Sequence, residues 1–277
     1  MPSKEFEIQI MNHTLKGQSY ETSDAKGVVV IVHGMGEYGK RYERTVVPML
    51  IKESFAVFSY DQFGHGASDG KKGDNPGYEY LLDALEAVLD KAQKAHPALP
   101  VFLYGHSMGG NVVINYTLRR KHDLKGTIAT SPFLQLAFDP PKWKLSMGKI
   151  MDRIFPSLTM PNDLELDALS KDPEEIDAYK KDPLVHDKVS TRYSLRLMEK
   201  GLWAIEHAPS LSVPMLLIHG TSDRITSHKA SKSFAANSNG MATFFPVEGG
   251  YHELHHDLEK NQFFEKISKW LNQQLQT

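Results

Sequence analysis

The chain has no cysteine among its 277 residues, which excludes disulfides and cysteine-ligated metals and leaves the redox compartment open. It has no excess of either charge: 32 Lys and Arg stand against 34 Asp and Glu, for a net charge of -2 and a pI near 6.7. A nucleic-acid binder would usually carry a basic surplus on one face. Long apolar runs are missing too. The longest clear one, residues 28–32, is far too short to span a bilayer. The N-terminus, "MPSKEFEIQI", lacks both a charged-then-apolar layout and a small-residue cleavage site, so no signal peptide is expected. No internal repeat or low-complexity segment is present. These absences lead to an expected cytoplasmic location. What remains, 40% hydrophobic residues, is enough for the core of one large domain, with or without an insertion.

Short β-branched runs alternate with longer helical periods, which predicts an α/β fold: a mostly parallel central sheet with helices on both faces. "FEIQIMNHTLKGQSYE" alternates apolar and polar residues and reads as a half-buried hairpin at the sheet edge. "GVVVIVHG", "FAVFSYD", "PVFLYGHS", "GTIATSP" and "VPMLLIHG" read as strands buried on both faces, and "ATFFPVEGG" as a weaker one. Helices are predicted over "YEYLLDALEAVLDKAQKAH", "MGGNVVINYTLRRK" and "NQFFEKISKWLNQQL". Residues 133–211 contain no strand-like run. They are expected to form a helical cap inserted into a core made of residues 1–132 and 212–277. Its first helix, in "PPKWKLSMGKIMDRIF", carries Trp143, Met147, Ile150, Met151, Ile154 and Phe155 at helical spacing. That stripe suits either the entrance to an apolar tunnel or the packing of the cap onto the core. Lys142, Lys144, Lys149 and Arg153 on the same helix suit solvent or an anionic membrane surface.

"LYGHSMGG" contains Gly105-His106-Ser107-Met108-Gly109, a G-x-S-x-G match between a predicted strand and a predicted helix. That setting puts a nucleophilic serine on a sharp turn. A serine nucleophile needs a base, and the base needs an orienting acid. On this kind of sheet they follow in the order acid, then histidine. Asp223 lies just past "VPMLLIHG" and His252 just past "TFFPVEGG", each beyond the end of a different strand. The oxyanion donors are expected at the backbone N–H of Met108, after the nucleophile, and of Met35, in the glycine-rich "HGMGEYG" loop. Asp61, His65 and His106 lie nearby without an assigned role.

The same histidine belongs to "HELHH", residues 252–256, which is literally H-E-x-x-H, the zinc-peptidase pattern. Gly249 and Gly250 stand just before it, with Tyr251 between, and the third ligand expected of such sites is missing downstream. The match reads as accidental. No metal is expected, and Glu253, His255 and His256 read as loop and surface residues.

The segments "HGMGEYGKRYE", "YDQFGHGASDG", "GHSMGG", "DPLVHD", "HGTSDRIT" and "EGGYHELHHD" run in order from residue 33 to 257. In that combination the chain resembles the α/β-hydrolase superfamily, and within it monoacylglycerol lipases and lysophospholipase-like serine esterases. The resemblance implies Ser107 as nucleophile, Asp223 as acid, His252 as base, oxyanion donors at Met35 and Met108, and "DPLVHD" inside a cap. It implies a lipid ester substrate, hydrolysis of monoacylglycerols or similar single-chain acyl esters, and no cofactor. The cap helix matches no fixed family pattern, so the substrate contacts proposed there rest on its own residues. Alternatives left open are a lysophospholipase or general carboxylesterase, a serine peptidase of the same fold, and a non-catalytic small-molecule binder. A nucleic-acid partner is not expected. A transient contact of the cap with a membrane surface stays open beside plain solvation of its charges.

Overall fold

The computed structural model describes residues 3–276; Met1 and Pro2 of the N-terminal reading, and Thr277, lie outside it. The described residues form ten strands: β1 (Ser3–Ile10), β2 (His13–Tyr20), β3 (Gly27–Val32), β4 (Phe55–Tyr60), β5 (Val101–His106), β6 (Gly126–Thr130), β7 (Thr159–Pro161), β8 (Lys188–Ser190), β9 (Met215–Gly220) and β10 (Ala242–Val247). The helices are α1 (Val46–Lys52), α2 (Tyr78–Ala95), α3 (Met108–Arg119), α4 (Lys142–Ile154), α5 (Pro173–Lys181), α6 (Thr191–Glu206), α7 (His228–Asn237) and α8 (Lys260–Gln274). Eight strands make one sheet in the order β1-β2-β4-β3-β5-β6-β9-β10. It is parallel except for the β1–β2 hairpin, which pairs antiparallel onto β4.

The sheet explains the continuous apolar runs. Along β3, Val28, Val30 and Val32 enter one hydrophobic cluster, while Val29 and Ile31 enter the other. β9 divides in the same way, with Met215 and Leu217 on one side and Leu216 and Ile218 on the other. A strand covered on both faces must be apolar at every position. Leu81, Leu85 and Val88 of α2, Val112 and Val113 of α3 and Phe234 of α7 cover the first face. Val47 and Leu50 of α1 and Phe263, Ile267 and Leu271 of α8 cover the second. The loops after the parallel strands meet at one rim, where sheets of this kind place their ligands.

Between β6 and β9 the chain forms α4, α5 and α6, and also the short antiparallel ribbon β7–β8, paired from Thr159↔Ser190 to Pro161↔Lys188. The sequence reading contained no strand here. Three residues per strand leave too little alternation to register. The larger difference is α4. It buries none of its side chains, and Trp143, Met147, Ile150 and Ile154 are all exposed. Its apolar stripe therefore does not pack onto the core. The helix rests on α6 instead, where Asp152 pairs with Arg196 at 2.9 Å. Among the described residues no helix is long and apolar enough to cross a membrane.

Candidate active site

Ser107 sits between β5 and α3 with φ 52° and ψ -113°, a left-handed conformation that an L-residue adopts only under constraint. Neighbouring glycines make the turn possible. A Cβ on Gly105 would run into the carbonyl of Gly109, and one on Gly109 into the carbonyl of Val32. Both obstacles are backbone and cannot swing aside. Gly109→Ala is therefore expected to cost about 1–3 kcal/mol of stability, read as a lowered thermal midpoint. An unchanged midpoint would show that the turn relaxes freely.

The Ser107 Oγ lies 3.0 Å from His252 Nε2, and His252 Nδ1 donates to Asp223 Oδ2 at 2.7 Å. All three side chains are buried. Asp223 is held from several sides. Its Oδ1 accepts the N–H groups of Ile225 at 2.8 Å and Thr226 at 3.0 Å. Its Oδ2 also accepts from His219 Nε2 at 3.0 Å, and His219 Nδ1 lies 2.8 Å from Ser231 Oγ. Burial alone would raise this carboxyl, but the charge and hydrogen bonds of His252 and His219 hold it well below the usual range. His252 is shifted the other way. Burial pulls its imidazole down, and Asp223, with Glu253 and Glu37 behind it, more than offsets that and leaves it raised.

The loop after β3 lies against the serine. A Cβ on Gly34 would come within 3.4 Å of Ser107 Cβ and 2.7 Å of Glu37 Oε1, which already accepts the Gly34 N–H at 2.6 Å. Met35 follows, half-buried against the core. Met108, almost wholly buried, is the first residue of α3, so its N–H has no acceptor within the helix. His33 fixes the loop's root: Nδ1 donates to Gly34 O at 2.7 Å, and Nε2 accepts from the Gln62 N–H at 2.9 Å.

The three residues without an assigned role are placed as follows. Asp61 accepts the N–H groups of Gly39 and Ala67 at 2.8 and 2.9 Å. His65 Nδ1 bonds the carbonyl of Phe63 at 2.8 Å. His106 packs 4.9 Å from the His252 ring, and burial, followed by the neighbouring His252, lowers its pKa to about 4.

The reading of Glu253, His255 and His256 as surface residues is corrected, because all three are buried. The segment 168–171 covers them: Leu169 O accepts the Glu253 N–H, Ser170 Oγ donates to His256 O, and the Lys171 N–H reaches Asp257. Ligand atoms of Glu253, His255 and His256 lie within 4.8 Å of one another. Both Glu253 oxygens, however, accept from Arg41 at 2.7 Å, and both His252 nitrogens are engaged with Asp223 and Ser107. The run is not helical over its length either; only Leu254–His256 make a single 3-10 turn. The H-E-x-x-H geometry is therefore not formed.

Of the α4 residues expected near substrate, Ile154 lines a shallow cleft with Phe155, Leu158 and Lys71, while Trp143, Met147 and Ile150 face outward and Met151 is half-buried. A larger cavity of about 540 Å3 lies between residues 161–166 and 179–188 and includes Tyr179 and His186. These two also stand behind the loop after β3: the His186 N–H donates to Gly36 O at 2.9 Å, and a Cβ on Gly36 would meet the His186 carbonyl. Sequence reasoning missed Glu37, Arg41, His219 and Thr226. The Glu37–Arg41 spacing of four was the one local signal.

A Ser–His–Asp hydrogen-bonded chain at the rim of this sheet, its serine on a strand-to-helix turn, is the arrangement of the α/β-hydrolases. The chain belongs to that class, and within it to the family described as "Serine aminopeptidase, S33", whose model matches residues 23–259. It is 31% identical over 263 residues to the monoglyceride lipase of Homo sapiens, covering 92% of this chain and 86% of that protein. It is 34% identical over 251 residues to an uncharacterized abhydrolase domain-containing protein of Dictyostelium discoideum, covering 90% of this chain but only 26% of that much longer relative. The crystal structure of Paleococcus ferrophilus monoacylglycerol lipase superposes with a TM-score of 0.86 at 31% identity, covering 94% of this chain and 99% of that one.

Proposed function

We propose that the protein is a serine esterase that hydrolyses monoacylglycerols to fatty acid and glycerol through an acyl-enzyme. The observation that carries this is the Ser107–His252–Asp223 hydrogen-bonded chain. The similarity to monoglyceride lipases over most of the chain supports the substrate class. His252 Nε2 takes the Ser107 proton as Oγ attacks the ester carbonyl. The Met35 and Met108 N–H groups receive the oxyanion, with the positive end of the α3 dipole behind them. His252 then protonates the departing glycerol oxygen, and afterwards takes a proton from the water that cleaves the acyl-enzyme. Asp223 keeps the proton on Nδ1 and stabilises the imidazolium.

Residues 133–211 act as the cap over this site. The cavity bounded by Tyr179 and His186, close behind Gly36, fits the space for a substrate's polar end. The test is a turnover panel of monoacylglycerols of several chain lengths beside di- and triacylglycerols, lysophospholipids and an aminoacyl-naphthylamide. Fastest release from a monoacylglycerol is expected. A preference for the naphthylamide would move the chain to the peptidase side of its family.

The exposed α4 face gives the cap a membrane contact. Trp143, Met147, Ile150 and Ile154 offer apolar area, and Lys142, Lys144, Lys149 and Arg153 offer positive charge beside it. The wild type is expected to co-sediment with anionic phospholipid vesicles. Replacing Trp143 and Ile150, which both face outward, together by Asp should weaken binding about tenfold or more while leaving turnover of a soluble ester intact. Failure of the wild type to co-sediment would remove the contact.

A further inference from the structure

The mechanism above leaves unused a buried charge cluster centred on Arg41. Arg41 lies between two carboxylates. Its Nη1 bonds Glu37 Oε2 at 2.9 Å and Glu253 Oε1 at 2.7 Å, and its Nη2 bonds Glu253 Oε2 at 2.7 Å. Its guanidinium also stacks on the Tyr179 ring at 4.8 Å. Burial would raise both carboxyls, but the Arg41 charge overrides that and holds both below the usual range. Two anions therefore share one cation, and a surplus negative charge stays buried.

The connections show what this arrangement is for. Glu253 is the residue after His252. Glu37 Oε1 accepts the N–H of Gly34, the residue before Met35, and the hydroxyl of Tyr42 at 2.7 Å. Glu253, beside His252, and Arg41, just after the Met35 loop, are 212 residues apart in sequence, and the guanidinium joins them. We propose that Glu253 and Arg41 are positioning residues, whose bidentate pair locks the loop carrying His252 to the loop carrying Met35, and that the surplus carboxylate charge favours the imidazolium formed during acyl transfer. Arg41 is suited to the first task, because its planar fork fixes direction as well as distance. Glu253 is suited to the second, because a charge acts strongly in a site closed to water. The other groups facing His252 are Asp223 and His219 from the β9 end, His106 from β5, and His255 and Glu37 from the flanking loops. Burial keeps His106 and His255 neutral at neutral pH, so neither supplies the charge that Glu253 does.

The proposal rests on the triad and oxyanion assignments, and its test separates the two. Glu253→Gln keeps the shape and leaves Arg41 with Glu37 as a neutral pair. It is expected to lower kcat on a short p-nitrophenyl ester about tenfold, with KM changed less than about twofold, because the loss falls on the transition state. The acid limb of kcat/KM should also move to lower pH. His252 must be neutral to act as base, so removing a nearby negative charge lowers the pH at which it becomes active. Arg41→Lys keeps the charge and loses the fork, so kcat should fall while the limb stays in place. A purely structural pair would lower the melting temperature of both variants and leave the limb unmoved. A folded Glu253→Gln protein with wild-type kcat and limb overturns the proposal and leaves the esterase reading intact. If that variant does not fold, Glu37→Gln, which removes the same surplus charge from the other side of Arg41, decides: an acid limb moved to lower pH supports the field, and an unmoved limb contradicts it. A wild type without ester turnover overturns the esterase reading and this proposal with it.

Discussion

Ser107→Ala is expected to lower ester turnover by about 10⁵-fold or more, as removal of a nucleophile does in a concerted triad. The loss should be almost wholly in kcat. Ser107 Oγ has one polar contact, His252 Nε2, and its backbone bonds run through atoms that alanine keeps: Ser107 N–H to Thr130 O, and Ser107 O from Asn111 and Phe133. Alanine takes on the same positive φ at the same cost, so the melting temperature should move by no more than about 2 °C. Initial rates on a p-nitrophenyl ester, beside a thermal melt, check both statements. Turnover within tenfold of wild type would mean that the hydroxyl is not the attacking group.

Asp223→Asn is expected to cost about 10⁴-fold in kcat without unfolding the protein. The contacts dictate how. Oδ1 accepts two backbone N–H groups, from Ile225 and Thr226, so the amide oxygen of asparagine must occupy that position. The NH2 group then falls at the Oδ2 position, facing His252 Nδ1 and His219 Nε2. A donor there forces His252 to carry its proton on Nε2, pointed at Ser107, where it cannot accept the serine proton. His219 must change tautomer as well, giving up its present hydrogen bond to the carboxylate. The variant should keep its fold and its affinity for substrate. A kcat within about tenfold of wild type would mean that Asp223 does not set the tautomer.

The sequence carried those features that follow from local periodicity or from residue order. Strands β3, β5 and β9 are legible because burial on both faces demands apolar residues throughout. Ser107, Asp223 and His252 stand beyond three different strands in the order this sheet requires, and the fold brings them into hydrogen-bond contact. The rest was hidden for physical reasons. Helix α1 is seven residues long with Pro48 near its start, and α7, capped by Ser227, has only Ala230, Ser231, Phe234 and Ala235 buried; both are too weakly patterned to stand out. The stripe on α4 gave the right helix but left its packing open, because amphipathicity reports an apolar face and not what covers it. Glu253 read as a surface carboxylate because its partner, Arg41, is brought to it only by the folded chain.

Labelling with a fluorophosphonate, followed by peptide mapping, tests the central assignment most directly. The hydroxyl of Ser107, polarised by His252 and Asp223, should be phosphonylated stoichiometrically, with the adduct on the peptide that contains "GHSMGG" and with parallel loss of ester turnover. Absence of an adduct in the folded protein, or an adduct on a different serine that tracks the loss of activity, would contradict it.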